Sequence, residues 1–196
     1  MEILDMEQRS PEWFAVKAGK PSPSKFSEII TTKGERSKSR EKYLYRLAGE
    51  AVAGIREDGY TSFAMQRGID MEDEAADMYE LMNGVDTQKI GYIKNDLCGG
   101  SPDRLVGVNG GLEIKCPEVH THVAYLLKKK LPTEYFAQVH GYLYITGREW
   151  WDFMSYYPGI KPFIVRVTPD KQWIEKLEQE LIDFNEDLAK LIGEIQ

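Results

Sequence analysis

The chain has 196 residues, 42% of them hydrophobic and 29% charged, which is the size and composition of one domain with a substantial core. Its formal net charge of −7 argues against a uniformly basic surface for nucleic acid. Two cysteines without metal-type spacing exclude a disulfide framework, and neither a signal-peptide pattern nor an apolar run of membrane-crossing length is present, so we expect a cytoplasmic protein.

The N-terminal half of the sequence has the periodicity of helices. Ser10-Pro11 is typical of a helix start, and Asn83-Gly84 is typical of a helix end. The predicted helices run from Ser10 to about Ala18, from Ser22 through Ile30, from Tyr43 to near Gly54, and from about Phe63 to Asn83. The basic residues concentrated between Lys33 and Arg46 fit either a basic binding face or an ordinary solvated helix surface.

The middle of the sequence changes to the pattern of strands. A strand is predicted from Gln88 to Ile93. Two more strands, Asp103–Gly107 and Gly111–Cys116, are predicted to pair, because Val108-Asn109-Gly110 between them contains the Asn-Gly signal of a hairpin.

The C-terminal part alternates between helices and strands. Predicted helices cover Val119–Lys130, Thr133–Thr146 and the chain after Pro169, and predicted strands cover Glu149–Tyr157 and Phe163–Val167. The apolar stripe of the last helix fits packing on the protein's own sheet, which we favour, or the joining of subunits. We therefore predict one α/β (α+β) domain over residues 1–196, with a central sheet flanked by helices.

The sharpest local motif is Ser101-Pro102-Asp103 followed by Glu113-Ile114-Lys115, a spacing that also arises by chance. Glu113 and Lys115 share one face of their strand, and Asp103 joins them only if the hairpin loop has an odd number of residues, three or five. Converging carboxylates repel one another, and Mg²⁺ or Mn²⁺ offsets this with oxygen ligands. Such an ion acidifies an attacking water, which Lys115 would orient or deprotonate, helped by a pKa lowered on burial.

Two further polar residues lie on apolar helix faces. Glu72 falls within the apolar stripe of its predicted helix, and Gln138 does the same in another helix. A glutamate that faces the core is almost never left unpaired. Glu72 therefore fits either a shared acidic centre or an ion pair with a buried Arg or Lys, and Gln138 fits either that centre or a satisfied core amide.

Taken in order, these motifs resemble the phage lambda-type exonucleases, the YqaJ-like viral recombinase branch of the PD-(D/E)xK nucleases. The resemblance runs through most of the chain, and its ordered set of motifs is far more specific than any one of them. It rests on Trp13 to Gly19 with Ser24, Arg67-Gly68 with Glu72 and Ala75, Ser101-Pro102-Asp103, Leu112 to Pro117, and Tyr135 to Val139.

The resemblance implies a restriction-endonuclease-like core with a mixed sheet and a Mg²⁺-dependent exonuclease that digests one strand of linear duplex DNA from its 5′ end. The product would be a 3′ overhang, passed to a single-strand annealing protein in a bacterial host cell, and the enzyme would be a homotrimeric ring around DNA. The implied roles are metal binding by Asp103, Glu113, the Ile114 carbonyl and Glu72, water activation by Lys115, water positioning by Gln138, and 5′-phosphate binding by Lys17, Ser24 and Ser101.

One departure from the family pattern concerns the phosphate pocket, where Lys17 stands in place of the family's arginine. A lysine contacts phosphate as a point charge without the bidentate fork of arginine, which would weaken the preference for 5′-phosphate. Two alternative functions stay open from the sequence: a PD-(D/E)xK endonuclease with the same centre, and a catalytically silent DNA-binding subunit of a recombination complex.

Overall fold

The computed structural model describes residues 1–55 and 63–196, with the side chains of 63–65 left aside. Its α-helices are α1 (Pro11–Lys17), α2 (Arg40–Ala53), α3 (Phe63–Asp70), α4 (Glu72–Asn83), α5 (Val119–Lys128), α6 (Phe136–Thr146) and α7 (Lys171–Ile195). Its strands are β1 (Glu2–Leu4), β2 (Thr87–Gln88), β3 (Tyr92–Lys94), β4 (Gly99–Gly100), β5 (Arg104–Val106), β6 (Gly110–Lys115), β7 (Trp150–Ser155) and β8 (Phe163–Val167). Two 3-10 helices cover Pro23–Glu28 and Thr133–Tyr135.

The main sheet has five strands in the order β2-β5-β6-β7-β8. Its pairs are antiparallel except for β6 and β7, which are parallel and are joined through α5 and α6. The β5–β6 hairpin pairs Val106 with Gly110, so its loop is Gly107–Asn109. This three-residue loop confirms the odd length predicted from the sequence. The mixed sheet flanked by helices confirms the predicted fold class.

A second, three-stranded sheet has the order β1-β3-β4 and was not predicted. The single strand predicted over 88–93 is wrong, because β2 pairs with β5 in the main sheet while β3 pairs with β1. Gly91 lies between the two strands, where a Cβ would be 2.1 Å from the Met6 carbonyl oxygen. The chain therefore passes from one sheet to the other at a position where only glycine fits.

The helix predicted over 63–83 is also divided. It breaks at Met71, whose backbone (φ −97°, ψ −4°) separates α3 from α4. Position 71 is neither proline nor glycine, so the residue type there does not indicate a helix break. As a result, Glu72 lies in the first turn of α4 and not in the middle of a long helix.

The largest part of the core lies between α2, α6 and α7. The apolar stripe of α7 is buried at Leu177, Leu181 and Phe184, so it packs within the protein as favoured, although its main partner is helix α2 and not the sheet. Helix α6 lies close to the first 3-10 helix, because Gly141 leaves room for Phe26, which would be 2.6 Å from a Cβ there. No helix within the two described ranges has both the length and the apolar character needed to cross a bilayer.

Candidate active site

The β5–β6 hairpin brings Asp103 and Glu113 together. Arg104 pairs with Leu112, which places Asp103, one residue before β5, level with Glu113 on the neighbouring strand. The Asp103 carboxylate accepts a hydrogen bond from the Ile114 backbone N–H at 2.6 Å. Glu113 is fully buried. Burial and then the Glu113 carboxylate raise the pKa of Asp103 well above its ordinary value, and burial also raises the pKa of Glu113 although Lys115 opposes this.

Lys115 is the counter-ion of this acidic pair. Its Nζ lies 2.5 Å from Glu113 Oε1. Burial acts to lower the pKa of Lys115, but the Glu113 and Asp103 carboxylates outweigh burial and raise it. The lowered pKa expected from the sequence is therefore wrong for this arrangement: the lysine is an ammonium ion held between two carboxylates.

Gln138 reaches the same carboxylate from helix α6. Its Nε2 donates to Glu113 Oε1 at 2.6 Å, so the inward-facing amide predicted from the sequence does lie at the acidic centre. The other oxygen, Glu113 Oε2, is buried and has no hydrogen-bond partner among the residues that the structure describes. A buried carboxylate oxygen left without a donor costs free energy that a bound cation would recover.

The residues present fit a hard divalent cation. Asp103 and Glu113 supply carboxylate oxygens, the donor type preferred by Mg²⁺ and Mn²⁺, and the buried Glu113 Oε2 has no donor among the described residues to compete with an ion. Within residues 1–55 and 63–196, however, no three His, Cys, Asp or Glu side chains form a ready-made metal cluster. The third acid of the predicted set, Glu72, is engaged elsewhere.

Glu72 lines the cleft that also contains Asp103, Ile114 and Lys115. Its Oε1 accepts a hydrogen bond from Arg104 Nη1 at 2.8 Å. The buried Arg104 guanidinium also donates to the Asp103 backbone carbonyl at 2.6 Å and to the Asp73 carboxylate. The ion-pair alternative is thus what the structure shows, and a catalytic role for Glu72 stays a prediction.

Two of the three residues of the expected phosphate pocket are linked through Trp13. The Trp13 indole N–H donates to Ser101 Oγ at 2.7 Å, and Lys17 Nζ lies 3.5 Å from the centre of the same ring. Ser101 Oγ in turn donates to the Gly91 carbonyl at 2.6 Å. Ser24 is exposed, and its hydroxyl lies 3.2 Å from that of Ser22. The structure therefore brings Lys17 and Ser101 together, whereas Ser24 is hydrogen-bonded within its own 3-10 helix region.

Two residues at the site were missed from the sequence. Arg104 holds Glu72, and its signal was an arginine at the start of a short, otherwise apolar strand. Arg9 lines the cleft beside Glu72, and nothing in its sequence neighbourhood indicated that position.

Comparison with known proteins agrees with this geometry. The YqaJ-like viral recombinase domain matches residues 12–149, a range that contains every predicted site residue. The chain is similar to the crystal structure of an alkaline exonuclease (LHK-Exo) from Laribacter hongkongensis, with 32% identity, a TM-score of 0.86, and coverage of 95% of this chain and 96% of that one. The same values hold for LHK-Exo in complex with dAMP.

A phage-related exonuclease from Haemophilus somnus, at 16% identity and a TM-score of 0.71 over 90% of this chain and 96% of that one, shares the fold. No match was found among curated proteins. The family match covers well over half of the sequence, and the fold is that of the similar alkaline exonuclease structure. The chain belongs to the YqaJ-like viral recombinase family.

Proposed function

We propose that this protein is a Mg²⁺-dependent exonuclease that digests one strand of linear double-stranded DNA from the 5′ end and leaves 3′ overhangs for recombination by strand annealing. The observation that carries the proposal is the meeting of Asp103, Glu113, Lys115 and Gln138 at one buried centre. The similarity to an alkaline exonuclease at 32% identity supports nuclease chemistry at that centre.

Asp103 and Glu113, with the Ile114 carbonyl, are the residues that would hold Mg²⁺, and Mn²⁺ would substitute for it. The bound ion would supply Lewis acidity toward a phosphate oxygen and toward a water. Glu113 must remain ionised to bind it, and the Lys115 ammonium at 2.5 Å favours that state. Lys115 would also orient the attacking water, and Gln138 would fix the Glu113 carboxylate through its 2.6 Å hydrogen bond.

The polarity and the assembly are proposed on the family's pattern. Lys17 and Ser101, held together through Trp13, would bind the 5′-phosphate of the end, and Ser24 would complete the pocket from its exposed position. On the same pattern, the proposal includes a homotrimeric ring around linear duplex DNA and a single-strand annealing protein that takes the product.

The test compares three duplex substrates: linear with 5′-phosphate, linear with 5′-hydroxyl, and covalently closed circular. Each is incubated with Mg²⁺ and with a chelator, and the ends of the products are mapped for overhang polarity. We expect Mg²⁺-dependent digestion of linear duplexes only, with 3′ overhangs. Degradation of closed circles would favour the endonuclease alternative. Activity no higher than that of Asp103→Ala would favour a silent DNA-binding subunit.

A further inference from the structure

Arg9 adopts a backbone conformation that disfavours an arginine. Its φ is +71°, at the corner of a turn closed by the hydrogen bond from the Ser10 N–H to the Glu7 carbonyl at 3.2 Å. Glycine adopts this left-handed conformation freely, whereas a side chain with a Cβ is strained there. The other such residue outside the glycines of the described ranges is Lys129, which ends helix α5, where this conformation is ordinary.

The position of Arg9 gives the strain a functional context. Arg9, Ile69 and Glu72 line two adjoining cavities. One of these contains Asp103, Ile114 and Lys115, and the other extends along the segment from Asp5 to Gln8. Arg9 therefore lies at the junction between the acidic centre and the groove that leads away from it. Strained residues held beside a functional cleft are often retained for what their side chains do.

The charge of the cleft points in the same direction. Among the described residues, two other cations line the two cavities, and both are paired: Lys115 in the cleft with Glu113 at 2.5 Å, and Lys89 in the groove with Asp73 at 2.9 Å. The side chain of Arg9 is exposed, and its guanidinium has no hydrogen-bond or ion-pair partner among the residues that the structure describes. Because the cleft walls also carry Glu72 and Asp103, a polyanion entering it needs a cation that is free to meet it.

We infer that the Arg9 guanidinium binds a phosphate group of the DNA strand that occupies this cleft, an inference that rests on the proposed nuclease function. The planar guanidinium donates two parallel hydrogen bonds to phosphate oxygens, which Lys17 cannot do in the neighbouring pocket. Arg9 is thus a substrate-binding residue close to the acidic centre, and the strained turn places its side chain at the cleft.

The experiment measures DNA binding apart from cleavage. Binding of duplexes with 5′-phosphate and with 5′-hydroxyl ends is titrated in Ca²⁺ at several salt concentrations, for the wild type, Arg9→Ala, Arg9→Gly and Lys190→Ala. Lys190→Ala removes one positive charge from the exposed side of α7, outside the cleft, and is the matched control. Thermal unfolding of the same proteins monitors the fold.

Both Arg9 variants should bind about tenfold more weakly, with a slope of log affinity against log salt reduced by about one phosphate contact, and Lys190→Ala should bind as the wild type does. Weakening on both kinds of end would assign Arg9 to an internal phosphate, and weakening on phosphorylated ends alone to the terminal one. Because glycine adopts a positive φ without strain, Arg9→Gly should melt about 2–4 °C above Arg9→Ala. The two variants should bind DNA equally weakly.

Wild-type affinity in both Arg9 variants, in a protein whose wild type digests linear DNA, would overturn this assignment and leave the proposed function intact. A wild type that neither binds nor digests duplex DNA would overturn both.

Discussion

Arg104 Nη1 donates a hydrogen bond to Glu72 Oε1 at 2.8 Å, so a candidate catalytic acid of the cleft is paired with a buried arginine. The same guanidinium bonds to the Asp73 carboxylate and to the Asp103 backbone carbonyl, and therefore ties the first turn of α4 to the start of β5. A buried arginine with three acceptors is costly to remove, because its partners lose their compensation together.

Arg104→Gln should lower the free energy of unfolding by about 1–3 kcal/mol, measured by urea denaturation. This loss is smaller than that for a fully buried ion pair because Asp73 is mostly exposed. Arg36→Gln is the matched control, since Arg36 also bonds to two carboxylates, Glu180 and Asp183, but at the surface. It should cost less than about 1 kcal/mol. Equal losses in the two variants would contradict a structural role for Arg104 beyond that of a surface ion pair.

Asp103→Asn should abolish Mg²⁺-dependent digestion and yet stabilise the protein in chelator. Because the pKa of Asp103 is raised in the folded state, the stability that this carboxyl contributes is present at acidic pH and is lost as pH rises through the raised pKa. Asparagine does not ionise, so Asp103→Asn avoids this loss of stability. At about pH 8 without metal, the variant should therefore melt at a higher temperature than the wild type, by about 2–4 °C for each kcal/mol of unfolding free energy that it retains.

Adding Mg²⁺ should reverse this order. An ion at about 100 times its dissociation constant stabilises a protein that binds it by about 2.7 kcal/mol, and Asp103→Asn should not gain this. Thermal melts of both proteins with and without Mg²⁺ are the measurement. An equal Mg²⁺-induced shift in the two proteins would place the ion elsewhere.

Gln138→Ala should reduce the rate of digestion about 10- to 100-fold, the range found when an outer-shell partner of a metal ligand is removed. The change leaves Glu113 Oε1 with Lys115 alone and frees the carboxylate to rotate. Gln179→Ala is the control, because Gln179 donates in the same way to the Asp183 carboxylate at 2.9 Å on the exposed side of α7. A Gln138→Ala rate within about twofold of the control would remove Gln138 from the catalytic group.

Lys17→Ala should slow digestion of 5′-phosphorylated ends by about tenfold or more, the scale of one charged hydrogen bond, and slow 5′-hydroxyl ends less. Lys20→Ala, three residues further along and exposed, should leave both rates unchanged. Single-turnover digestion of the two kinds of end is the measurement. Equal slowing on both would exclude Lys17 from the phosphate pocket.

His122 should make stability depend on pH in the opposite sense to Asp103. It is fully buried, with Nδ1 2.8 Å from Ser155 Oγ and Nε2 3.2 Å from the Lys161 carbonyl. Burial lowers the pKa of His122, although the hydrogen bond to the Lys161 carbonyl opposes this. The free energy of unfolding that the neutral imidazole contributes is therefore complete above about pH 6.5, the pKa of the unfolded chain. It is lost as the pH falls from there through the lower pKa of the folded state. Between about pH 7.5 and 5.5, His122→Gln should lose less free energy of unfolding than the wild type. Parallel curves would contradict this.

The sequence predicted the acidic centre well because strand geometry is simple. Alternation put Glu113 and Lys115 on one face, and the odd loop between Val106 and Gly110 brought Asp103 to the same side. Gln138 was found by a polar residue on an apolar helix face, a signal that holds whenever the helix is correctly placed.

What the sequence did not predict depended on partners distant in the chain. The strand β1 has three residues and is a strand only because it pairs with β3, ninety positions later in the chain. The division of the 88–93 region depended on Met6 packing against Gly91, and the break at Met71 has no local signal. Burial alone predicts a lowered pKa for Lys115, but the two carboxylates that the fold places beside it raise that pKa.

The parallel pairing of β6 and β7 has a consequence for engineering. The connection that makes these strands parallel contains α6, so Glu113, Lys115 and Gln138 belong to one uninterrupted βαβ segment, residues 110–155. A chimera that takes this whole segment from a relative should keep the distances among the side chains at positions 113, 115 and 138. A graft of α6 alone would have to re-establish the 2.6 Å approach of Gln138 to Glu113 across a foreign crossover.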